Sequence, residues 1–74
     1  MKLSPIEAKL LYRAAKTQSG YGRQLLVSLP DTDEVPKAEY SNAMDCLGSL
    51  ANRSNDLATV RACRTLRAKF EAAK

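Results

Sequence analysis

Residues 54–74, SNDLATVRACRTLRAKFEAAK, set the architecture of the chain. From Leu57 onward the stretch contains neither glycine nor proline. Val60, Cys63, Leu66 and Phe70 recur at helical spacing on one side, while Arg61 and Arg64 point roughly the opposite way and Arg67 and Lys69 fall at the flanks. The spacing predicts an amphipathic helix over about 55–73. Ser54 or Asn55 can cap it, Asp56 lies in its first turn, and Lys69 and Lys74 suit its carboxyl end.

Upstream, Asn52-Arg53-Ser54-Asn55 breaks a second helical pattern made by Tyr40, Ala43, Met44, Leu47, Leu50 and Ala51. This predicts a helix over about 36–52, with Gly48 as an interior weakness of ~1 kcal/mol relative to alanine and a place for close packing. At the other end, Ser4-Pro5-Ile6-Glu7 is a start signal: Ser4 caps, Pro5 needs no N–H partner, and Glu7 reaches back. The helix it opens runs to about residue 17. Ile6, Leu10, Leu11, Ala14 and Ala15 form its expected apolar side, and Lys9, Arg13 and Lys16 its wet face. Gly20-Tyr21-Gly22 ends it. Between the helices, in a loop over 18–35, Leu25-Leu26-Val27-Ser28-Leu29 reads as extended or irregular, and the acids after Pro30 read as an exposed turn. The expected fold is mainly α: one compact three-helix domain over 1–74 with a short extended or irregular central segment and no internal repeat.

Length and composition restrict the function. With 74 residues, an apolar fraction of 45% and a formal charge of +4, the chain is long enough for one small core and too apolar for disorder. A domain of this size buries only about 60% of its unfolded surface, which leaves little stability for a deep catalytic cleft. Histidine is absent, so Ser-His and Cys-His pairs cannot be built. Cys46 and Cys63 fall short of a structural zinc set and of a disulfide framework. They read as small buried apolar side chains on neighbouring helices, with a redox role as the alternative. Asp31, Asp33 and Glu34 lack the turn glycine and distal Glu of a calcium loop, and Gly20-Tyr21-Gly22 lacks the Gly-Lys-Ser/Thr of a phosphate loop. No enzyme, cofactor or metal is expected. Neither a signal peptide nor a membrane span is expected, which points to a reducing, cytoplasmic compartment and makes Asn52-Arg53-Ser54 an accidental glycosylation match.

Basic side chains remain as the functional lead. Lys2, Lys9, Arg13, Lys16, Arg23, Arg61 and Arg64, with the glycine-flanked Tyr21 as a stacking surface, are the candidate partner-binding residues. They imply an acidic or polyanionic partner. Base reading by the second helix is poorly supported, because Lys37, Asn42, Asn52 and Arg53 share it with Glu39 and Asp45.

The order helix, apolar segment, helix, polar break, helix is loosely similar to winged-helix and helix-turn-helix domains, in which a stretch like residues 43–53 (AMDCLGSLANR) would precede a wing; here residues 54–74 are helical instead. In its size, its basic helical make-up and its opening Met1-Lys2-Leu3-Ser4-Pro5 followed by Glu7-Ala8, the chain resembles the small bacteriophage proteins that bind host RNA polymerase, block initiation and promote terminator read-through. That resemblance implies a phage-type transcription regulator in the host cytoplasm, a monomer or weak dimer, contacting RNA polymerase near the RNA exit path. Its contacts would be the N-terminal residues and the basic stripe. The alternatives are a small DNA- or RNA-binding domain, or a phage inhibitor of another bacterial complex such as a CRISPR effector.

Overall fold

The computed structural model of the protein describes residues 1–16 and 34–73. The glycine-flanked Tyr21, Arg23 and the apolar run 25–29 lie outside the described residues.

The described part is a mainly α globule with three helices and no strands. Helix α1 spans Pro5–Lys16, a single 3-10 turn spans Lys37–Glu39 and leads directly into α2, Tyr40–Arg53, and α3 spans Leu57–Ala73. The predicted start of α1 is realised in full: the Glu7 amide donates to Ser4 Oγ at 3.2 Å and the Ser4 amide donates to Glu7 Oε1 at 3.0 Å. The second helix departs from its expected range of 36–52. Pro36 is extended (ψ 151°), the first turn is 3-10, and the α-helix proper begins at Tyr40 and runs through Arg53. At α3 the cap is Asp56 rather than Ser54 or Asn55. The Ala58 amide donates to Asp56 Oδ1 at 3.2 Å and the Thr59 hydroxyl to Asp56 Oδ2 at 2.8 Å. Ser54 caps one step earlier, accepting from the Asp56 amide at 3.1 Å and so holding the turn between α2 and α3.

The principal helix contact is α2 against α3; α1 packs mainly on α2 and touches α3 least. Leu47, Leu66 and Phe70 are fully buried between the helices, and the Phe70 ring meets Tyr40 in a tilted pair 5.3 Å between centroids. Ala14 and Ala15, also fully buried, let α1 approach closely, with Leu11 beside them. Ile6 does not join them: it is 81% exposed. It sits five positions before Leu11, about 140° round the helix from the side that packs. On α3 the expected Val60 is only half-buried and Thr59 is buried in its place, with its hydroxyl already satisfied by Asp56.

One end of the core is closed by chain outside the helices. Leu3 and Val35 are buried, Lys2 and Glu34 form an isolated antiparallel bridge, and the Val35 amide donates to the Met1 carbonyl at 2.9 Å. The Met1 ammonium donates to Val35 O at 2.7 Å, Tyr40 Oη at 3.0 Å and Glu34 Oε1 at 3.1 Å.

Candidate partner-binding surface

On α1, burial of Leu11, Ala14 and Ala15 turns Lys9, Arg13 and Lys16 outward together, and all three are exposed. Two further side chains share this face that sequence reasoning missed. Tyr12 is partly exposed with Lys16 Nζ 5.6 Å from its ring centroid, and Ile6, assigned to the core by its hydrophobicity, lies in the open. The periodic signal for Tyr12 was present in the sequence, since helical spacing puts it about 40° from Lys16, at the edge of the cation stripe rather than among the packing residues.

Charge on this face is not neutralised from within α1. Its only acid, Glu7, is drawn off to the side: Lys69 Nζ of α3 lies 2.6 Å from Glu7 Oε2. That ammonium, followed by the Ser4 cap, holds the Glu7 carboxyl below its ordinary range. Arg13 lies within electrostatic reach of the amino end of α3. There the Asp56 carboxyl is held low mainly by the Thr59 hydroxyl and the Ala58 amide, with Arg13 adding to the effect.

The other candidates are dispersed. Lys2 is exposed in the bridged arm before α1, its backbone paired with Glu34. Arg61 and Arg64 are both exposed on α3, but they do not act alike. Arg64 joins Arg67, which the sequence reading left at the helix flank, on the wall of a hollow of about 190 Å³ between α2 and α3 lined also by Leu47, Gly48, Ala51, Asn52 and Cys63. No periodic signal pairs Arg67 with this hollow; the packing of α2 on α3 does, and a methyl group at Gly48 would lie 3.9 Å from the Arg67 guanidinium carbon. Tyr21 and Arg23 lie outside the described residues.

Cys46 and Cys63 are free thiols buried in the core. Burial pushes both above the usual thiol range, reinforced at Cys46 by Asp45 and opposed at Cys63 by Arg13. Their burial as free thiols fits packing side chains. Among the described residues no group of three Cys, Asp or Glu side chains is placed to hold a metal ion, and no helix is long and apolar enough to cross a membrane. No family model, no curated protein and no solved structure matches this chain.

Proposed function

We propose that the protein works by binding, with the outer face of α1 docking on an acidic or RNA-facing surface of a larger bacterial assembly and altering its activity by occupancy. RNA polymerase is the assembly that the sequence resemblance brings forward, and modulation of initiation or termination is the outcome it implies. The supporting observation is the composition of that face: Lys9, Arg13 and Lys16 exposed together with Tyr12 and Ile6, while the helix's one acid is occupied by Lys69. Cations flanked by exposed aromatic and aliphatic side chains fit a protein surface, where charge sets the approach and apolar area sets the residence time.

The test is co-purification with bacterial RNA polymerase and transcription in a minimal reaction, using the wild type and a Lys9→Glu, Arg13→Glu, Lys16→Glu variant. The wild type is expected to bind and to change transcript yield or terminator read-through. The variant is expected to lose both with its unfolding midpoint nearly unchanged, since exposed substitutions usually cost under ~0.5 kcal/mol. Equal activity of the two proteins removes α1 from the interface. Absence of polymerase binding, with saturable nucleic-acid binding whose log affinity falls linearly with log salt, establishes the nucleic-acid alternative instead.

A further inference from the structure

The hollow between α2 and α3 is lined by residues of those two helices and by none of α1. Its base is apolar, with Leu47 and Cys63 fully buried, and its wall carries Arg64 and Arg67. The same two arginines line a second, shallower hollow of about 370 Å³ with Met44, Ala68 and Glu71. Neither guanidinium makes a hydrogen bond or ion pair with another described residue. Standing three positions apart on one helix, they repel one another, and an anion placed between them relieves that repulsion.

The geometry points to a carboxylate-binding site in this hollow, formed by Arg64, Arg67 and the Asn52 amide, that takes an aspartate or glutamate side chain of a partner protein. Three features select this ligand. A water's share of liquid volume is about 30 Å³, so 190 Å³ accommodates a carboxyl group with its methylenes. Guanidinium groups match a carboxylate through paired N–H donors. The hollow runs along helix interiors, where backbone amides are committed to the helix, so the nest of backbone N–H groups that cradles a phosphate is missing, and no aromatic ring among its lining residues can stack a base. Met44 and Ala68 on the adjoining hollow leave room for an apolar neighbour of the captured acid. A methyl group at Gly48 would stand in ordinary contact with the Arg67 guanidinium, 3.9 Å from its carbon, and take up part of the hollow.

This inference deepens the binding reading above, with which it shares Arg64, and its test can fail independently of that reading. The full chain, labelled with nitrogen-15, is titrated with sodium propionate, with sodium chloride at equal ionic strength and with inorganic phosphate, following the Arg64 and Arg67 side-chain N–H signals and the Gly48 amide by NMR. Saturable shifts with propionate, beyond those with chloride, are expected at these groups. Arg64→Gln and Arg67→Gln should each weaken binding about tenfold. Arg67→Lys should weaken it while keeping the charge, because a lysine cannot present the paired donors. Gly48→Ala should weaken it while raising the unfolding midpoint. A Lys9→Glu, Lys16→Glu variant, which leaves Arg13 in place beside Cys63, should bind propionate normally even where it loses the large partner. Propionate shifts no greater than those with chloride overturn the site, as does undiminished binding in both glutamine variants. Tighter binding of phosphate than of propionate at the same signals also overturns it, and assigns the hollow to a phosphorylated ligand.

Discussion

Met1 shows how a single group can tie distant parts of a short chain together. Its ammonium donates to Val35, Tyr40 and Glu34, and the Tyr40 hydroxyl, then the Glu34 carboxylate, raise it above its ordinary value of 8.0. A group held more firmly protonated in the folded state adds stability that is complete below its unfolded pKa and disappears as pH rises through the folded one. The unfolding midpoint should therefore decline as pH is raised above about 8. The buried thiols act in the same direction nearer pH 9, so the amine's part is read as the difference between the native chain and its Nα-acetylated form. Acetylation should lower the midpoint at pH 7, and the gap between the two forms should narrow on going to pH 9. A constant gap would mean that the ammonium charge contributes nothing there.

At the scale of elements, the start of α1 is the best specified feature among the described residues. Ser4 and Glu7 close a reciprocal cap on α1, and Glu7 also pairs with Lys69. The two roles differ in weight: an exposed ion pair typically adds under ~1 kcal/mol and is screened by salt, whereas loss of a serine cap costs about 1 kcal/mol regardless of salt. Ser4→Ala should lower the midpoint by about 4–8 °C, the shift that 1 kcal/mol produces in a domain this small, and Ser4→Asp should restore most of it. Calorimetry at low and high salt separates these effects, and a Ser4→Ala loss that vanishes in high salt would assign the stability to the ion pair. The caps of α1 were legible because a serine, a proline and a glutamate at fixed offsets have one physical use. The cap of α3 was ambiguous, since Ser54, Asn55 and Asp56 all have the required acceptor. The choice of Asp56 follows from Thr59, whose buried hydroxyl needs the second carboxylate oxygen.

For the whole molecule, stability rests on a small set of large side chains, of which Phe70 is fully buried and the only phenylalanine in the chain. Phe70→Ala should cost about 3–5 kcal/mol, comparable with the entire stability of a domain this size, and leave the chain largely unfolded at 25 °C by circular dichroism. A cooperative transition within a few degrees of the wild type would show that the core does not depend on the Phe70–Tyr40 pair. That the described residues are helical, where α1 begins, and that Lys9, Arg13 and Lys16 share a face could all be read from the residues in order, because each follows from local geometry repeated every 3.6 residues. Tertiary structure alone decided the rest. Ile6 is exposed because α2 packs on the other side of α1; Arg67 shares a hollow with Arg64 because α2 packs beside α3; and Met1 meets Val35 and Tyr40 across more than thirty positions of sequence. Each of these depends on which helices become neighbours, and periodicity within a helix carries no information about the helix beside it.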